Sequence, residues 1–265
     1  MGRFASRFAL AVAAVVPLIA TPTTPTTAVR VPLPVVSHGA AAYQGNGTVN
    51  EIVRIPIPLP EPKPVKTRFM VVRIESSLPI YSKPGGGAVI GTFPSISKFG
   101  TQMVAWVQDR SKSGRYGKVT VPYTMYPRPG WIKIEGLKKR YVKYSVEADV
   151  SKHRLTLLKY GKPIMTVPTA TGMPSRPTPP GRYHVVDRWA SNPYGSLGAF
   201  VFALSALQIN YPGAESGLFI MAIHGTNSPS TLGTSASNGC LRVGAKPLNR
   251  LIPALELGTP VIIRP

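Results

Sequence analysis

The sequence predicts a mainly β protein, with a small barrel followed by a larger antiparallel β domain carrying one or two short helices. Three observations lead there. The 29 prolines and 25 glycines among 265 residues interrupt the chain too often for a helical bundle or coiled coil. From Phe69 onward, short apolar runs alternate with Gly, Pro and Ser turns. Only Lys246 to Leu257 spaces its apolar residues, Leu248, Leu251, Ile252 and Leu255, along one helical face.

Taken in order, the amino terminus opens with Arg3 and Arg7 ahead of an apolar stretch from Phe8 to Ala20. That stretch is shorter than the roughly 20 residues of a membrane span and has the layout of a secretory signal. Residues 1–20 are therefore expected to direct export, either cleaved or retained as an anchor, which would be the chain's one contact with a membrane. Residues 21–66 hold nine prolines, alternating at Pro56, Pro58, Pro60, Pro62 and Pro64. Alternate proline removes every second backbone donor and favours extended geometry, so the segment reads as a Pro/Thr-rich linker.

Residues 67–140 contain five short apolar runs: Phe69 to Ile74, Leu78 to Tyr81, Ala88 to Phe93, Met103 to Val107 and Trp131 to Ile134. No 3.6-residue period is sustained, which predicts a small all-β unit with Trp106 and Trp131 as core anchors. The segments Pro79 to Gly86 and Pro129 to Ile134 resemble the opening and closing strands of bacterial SH3-like domains, modules that often accompany cell-wall enzymes.

From Tyr141 the pattern becomes an antiparallel meander. Tyr144 to Val150 and Arg154 to Tyr160 alternate, and Gly161-Lys162 is placed at a hairpin turn before Pro163 to Val167. A stiff loop, Pro177 to Arg182, leads into a strand from Tyr183 to Val186; an apolar run from Gly217 ends at His224; and Gly258 to Ile263 reads as a terminal strand. Pro247 suits the first turn of the one predicted helix, and Pro253 should shorten or kink it.

Composition narrows the function. One cysteine forms no intramolecular disulfide and excludes a Cys-rich zinc module. The net charge of +21 arises mainly from scarce acids, since charged residues make up 15% of the chain against about 25% typically. Such a protein is expected to meet an anionic partner. Its charge is dispersed, with 13 basic and 3 acidic residues in 67–140 and 12 and 5 in 141–265. The longest basic cluster is Lys138-Lys139-Arg140, which argues against nucleic acid. His38, His153 and His184 share no zinc-ligand spacing and are expected at surface or incidental positions, so neither a metal nor another cofactor is expected.

The chemistry concentrates between residues 224 and 242. Cys240 lies in Ser237-Asn238-Gly239-Cys240-Leu241-Arg242, sixteen residues after the start of His224-Gly225-Thr226. An unpaired cysteine is most often an apolar filler, but a thiol with a pKa of about 8.5 becomes a nucleophile beside a base, which histidine supplies. A glycine before it permits a tight turn, placing the Gly239 and Cys240 amides as candidate oxyanion donors. Arg242 is a candidate for binding a substrate carboxylate, and Ser237 for bracing the loop through its hydroxyl.

These motifs, with Thr171-Gly172, Thr178 to Tyr183 and Asn192 to Gly195 upstream, resemble the L,D-transpeptidase (YkuD-type) catalytic domain over residues 141–265. The resemblance implies a β-sandwich-like domain acting on peptidoglycan stem peptides in the bacterial wall. Cys240 would be the nucleophile, His224 the base and the Gly225 carbonyl the third member of the triad. Gly239, Asn238, Arg242, Ser237 and Thr226 would be oxyanion or substrate contacts. A thioester formed with loss of D-Ala would be resolved by a second stem, giving a 3-3 cross-link, and carbapenem-type inhibitors would acylate the same cysteine. Water or a protein amine as acceptor would make the chain an L,D-carboxypeptidase or a protein-anchoring enzyme instead. A binding protein for anionic wall polymer, with an inert cysteine, stands as the non-catalytic reading. Two positions depart from the family pattern: Asn238 replaces a common His, and Pro247 a common Asp.

Overall fold

The computed structural model describes residues 68–124, 128–208, 210 and 219–265. The expected signal and linker, residues 1–66, lie outside these, as does His38.

Eight strands precede residue 143: β1 (Phe69–Arg73), β2 (Leu78–Lys83), β3 (Gly86–Phe93), β4 (Val104–Trp106), β5 (Asp109–Arg110), β6 (Tyr116–Thr120), β7 (Pro129–Lys133) and β8 (Lys139–Val142). They form a three-stranded sheet, β4-β1-β8, and a five-stranded sheet, β3-β2-β7-β6-β5. Five of the eight coincide with the apolar runs. Strands β5 and β8 escaped the sequence reading because they are charged or short, and β6 because Gly and Lys interrupt it. Trp106 is a core residue, edge-on to Phe69, whereas Trp131 is only half-buried.

The remaining strands are β9 (Tyr144–Asp149), β10 (Arg154–Lys159), β11 (Lys162–Pro168), β12 (Thr171–Gly172), β13 (Gly181–Ala190), β14 (Phe200–Leu207), β15 (Ile220–His224), β16 (Ser235–Ser237), β17 (Leu241–Arg242) and β18 (Pro260–Arg264). Eight of them make one sheet in the order β11-β10-β9-β18-β13-β14-β15-β17, while β12 and β16 pair separately in parallel. The β10–β11 turn is Tyr160-Gly161, both with positive φ as a two-residue hairpin turn requires, one residue earlier than expected. The helix α1 (Ala245–Leu251) is shorter than the predicted Lys246 to Leu257. It stops before Pro253, which has no N–H to continue the ladder, and Arg188 donates to the carbonyls of Ile252 and Leu255 just past its end.

The large sheet is buried on both faces where it matters. Tyr183 and Val185 of β13, Phe202 and Leu204 of β14, and Ile223 of β15 pack with Leu248 and Leu251 of α1. Val186 and Ala203 instead join Val72, Ile80, Phe93 and Ile132 of the upstream strands. His184 shares that second face. It is 1% exposed and stacked on Phe93 with centroids 6.2 Å apart, so of the expected surface or incidental position the structure corrects the surface one. A strand covered on both sides has no exposed positions to leave a polar residue on.

Candidate active site

Parallel pairing of β15 with β17 sets Ile223 opposite Leu241 and His224 opposite Arg242. Ile223 and Leu241 are fully buried in the core. Because strand side chains alternate, Ala222 and His224 on one strand and Cys240 and Arg242 on the other share the opposite face. Sixteen residues of sequence thus become adjacent strands.

His224 is buried, and its Nδ1 lies 2.6 Å from the carbonyl oxygen of Gly225. A carbonyl only accepts, so Nδ1 carries the proton and Nε2 keeps its lone pair. Burial pushes the imidazole down to about 4, with the Arg242 charge adding to the effect and hydrogen bonds to the Gly225 and Leu197 backbone opposing it. The ring is therefore neutral at pH 7. Gly225 lies against Gly198: a Cβ on Gly198, whose φ is +62°, would sit 2.7 Å from Gly225 Cα. Two glycines let the loop carrying Asn192 to Gly195 cross the His-Gly pair at backbone contact.

Cys240 is partly exposed as a residue, while burial of its thiol raises the pKa, opposed by a hydrogen bond from the Ala222 backbone and by the Arg242 charge. Cysteine and histidine are thus both neutral at rest. The loop before Cys240 is held by three buried side chains. Ser237 Oγ donates to Cys240 O at 2.6 Å and accepts from Gly239 N at 3.0 Å. Thr178 Oγ1 donates to Gly239 O at 2.8 Å and accepts from Gly172 N at 2.8 Å. Gln208 Nε2 donates to Asn238 O at 2.8 Å. The Thr-Gly, Thr-Pro-Pro-Gly and Ser-Asn-Gly-Cys segments therefore meet in one network.

This network alters one expectation. The Gly239 amide, expected as an oxyanion donor, is already engaged by Ser237; the Cys240 amide has no hydrogen-bond partner among the described residues. A trans peptide points its N–H opposite its C=O, so anchoring Gly239 O on Thr178 turns the Cys240 N–H away from that buried hydroxyl.

The outer positions are looser. Exposed Asn238 accepts from Arg176 Nη1 at 2.8 Å through Oδ1. Arg242 reaches only Ala236 O, at 3.4 Å from Nη1, and its buried Nε has no partner among the described residues. Thr226 Oγ1 accepts from Ser228 N, leaving its proton available to donate. Pro247 lies in the first turn of α1, which begins after Gly244 without a side-chain cap. Among the described residues no three His, Cys, Asp or Glu side chains converge as a metal site.

Sequence reasoning missed Gln208 and the bracing role of Thr178. Gln208 is 4% exposed at the end of the apolar strand β14. A polar residue closing so apolar a run was the signal available.

The profile of the YkuD family, described as an L,D-transpeptidase catalytic domain, matches residues 143–263. The YkuD protein of Bacillus subtilis strain 168, named as an L,D-transpeptidase, is 31% identical over 133 residues, covering 50% of this chain and 73% of its own. The Bacillus licheniformis counterpart is 30% identical over 124 residues, 47% of this chain and 67% of its own. The solved catalytic domain of the Enterococcus faecium L,D-transpeptidase is 18% identical over 46% of this chain and 96% of that one, with a TM-score of 0.37. A likeness that weak fixes neither site nor substrate.

Proposed function

Because the chain belongs to the YkuD family of L,D-transpeptidases, we propose that it is an exported peptidoglycan L,D-transpeptidase forming 3-3 cross-links through a Cys240 thioester. The observation that carries this reading is the 2.6 Å bond from His224 Nδ1 to the Gly225 carbonyl, which leaves Nε2 as a base on the strand beside Cys240.

In this mechanism Nε2 takes the thiol proton as Sγ bonds to the carbonyl carbon of the stem's diamino acid at its L-centre. The carbonyl electron pair moves onto oxygen, facing the Cys240 N–H. That pair then re-forms the carbonyl, the C–N bond to the terminal D-Ala breaks, and the proton on His224 passes to the departing nitrogen. An amine of a second stem attacks the thioester and yields its proton to His224, and the sulfur leaves as thiolate and recovers that proton. Arg242, whose guanidinium makes only a 3.4 Å contact to Ala236 O among the described residues, receives a substrate carboxylate through its terminal nitrogens. Asn238 and Thr226 line the approach.

The region 67–140 is assigned to an SH3-like wall-attachment module. The two segments behind that resemblance pair through Tyr81 and Trp131 on β2 and β7. Its surface, with Tyr141 just beyond it, forms a cleft of about 520 Å³ lined by Arg68, Arg110 and Lys112, with Asp109 the one carboxylate on its wall. None of the three cations has a carboxylate partner among the described residues. Such a cleft suits an anionic wall polymer.

Intact mass spectrometry after exposure to imipenem tests the acyl-enzyme: one covalent adduct is expected on wild type and none on Cys240→Ala. An unmodified wild type would favour the non-catalytic reading. A defined tetrapeptide then tests the acceptor, because D-Ala released without a cross-linked dimer would make the chain an L,D-carboxypeptidase.

A further inference from the structure

We infer that Gln208 is a positioning residue for the acyl-transfer step, holding the Cys240 amide in the orientation that receives the oxyanion. The inference rests on the acyl-enzyme reading above.

Gln208 lies outside the His-Gly-Thr and Ser-Asn-Gly-Cys motifs and touches neither the Cys240 thiol nor His224 through any hydrogen bond in the structure. Its side-chain amide nevertheless binds both loops that frame the nucleophile. Nε2 donates to Asn238 O at 2.8 Å, Pro177 O at 3.1 Å and Arg176 O at 3.3 Å, while Oε1 accepts from Asn210 N at 3.0 Å. Two N–H bonds shared among three carbonyls leave no donor spare.

The consequence follows from peptide planarity. Holding Asn238 O on one side turns the Gly239 N–H to the other, where Ser237 Oγ takes it. Holding the carbonyls of Arg176 and Pro177 fixes the residue that follows, Thr178, whose hydroxyl sets the next peptide plane through Gly239 O. One side chain therefore governs two successive planes, and the second carries the Cys240 N–H. The space confirms how closely it is seated: a Cβ on Gly239, where φ is +113°, would collide with Gln208 Nε2.

Positioning and mere packing predict different kinetics. Imipenem acylation passes through an oxyanion and needs the amide, whereas iodoacetamide alkylates the thiol by direct displacement and needs only the thiolate. Purified full-length wild type and Gln208→Ala are compared for both rates by intact mass, with thermal melting as a check on folding. Gln208→Met, of similar length but without a donor, stands in if the alanine variant does not fold. Acylation is expected to slow at least about tenfold while alkylation stays within about twofold. Equal acylation rates, or both rates falling together, would overturn the role of Gln208. A wild type that imipenem leaves unmodified would overturn the acyl-enzyme reading itself, and this inference with it.

Discussion

Lowering the pH from about 7.5 to about 5 should cost the fold about 4 kcal/mol, and His184→Phe should remove about half of that loss. His184 is 1% exposed, and neither of its ring nitrogens has a hydrogen-bond partner among the described residues. Burial pushes it down to about 3, and pushes His224 down to about 4. In an unfolded chain each titrates near 6.5. Between these values the unfolded state binds the extra protons, so stability is complete above about pH 6.5 and falls as the pH drops toward the folded values. The slope is about 1.4 kcal/mol per pH unit for each imidazole. About 1.5 units below the unfolded value, each has lost about 2 kcal/mol, whichever of 3 or 4 describes the folded ring. Asp149, held down to about 2 mainly by Lys152, keeps its stabilising contribution over this range and loses it only at lower pH. Phenylalanine keeps a flat ring against Phe93 without titrating. Urea unfolding followed by Trp fluorescence at a series of pH values reads the effect. A wild type equally stable at both pH values, or a variant with the wild-type pH dependence, would refute the reasoning.

Gly239→Ala should slow imipenem acylation at least about tenfold, because the new methyl meets Gln208 Nε2 at a backbone angle that L-residues avoid; intact-mass kinetics read it. Binding to isolated sacculi should weaken steeply as salt rises from about 0.05 to about 0.5 M, where screening shortens to a few ångströms. Arg110→Ser combined with Lys112→Ser should weaken it at low salt without changing Cys240 acylation, as pelleting assays would show; salt-insensitive binding would argue against the cationic cleft.

The placement of the candidate site was legible in linear form. Cys240, His224 and the Thr-Gly and Thr-Pro-Pro-Gly segments stand out because each calls for a residue type with few substitutes: a thiol, a base, a glycine with no room for a Cβ, a stiff turn. The strands with clear alternation or compact apolar runs were legible too, since period-two burial is written into their order. Helix α1 was found but overextended, because apolar spacing continues to Leu255 past the point where Pro253 breaks the ladder.

What the tertiary structure alone decided is which groups face each other and which are already engaged. The sequence determined a lone thiol, a histidine followed by glycine and a basic, mainly β chain. Pairing of β15 with β17 turned a sixteen-residue gap into one strand spacing, and no local pattern encodes which strand lies next to which. Other long-range contacts put Thr178 on the Gly239 carbonyl, Gln208 on the Asn238 carbonyl and His184 between two packed layers. Hydrogen-bond satisfaction is a property of the folded neighbourhood; residue identity says what a group can do, and only the neighbourhood says whether that capacity is still available.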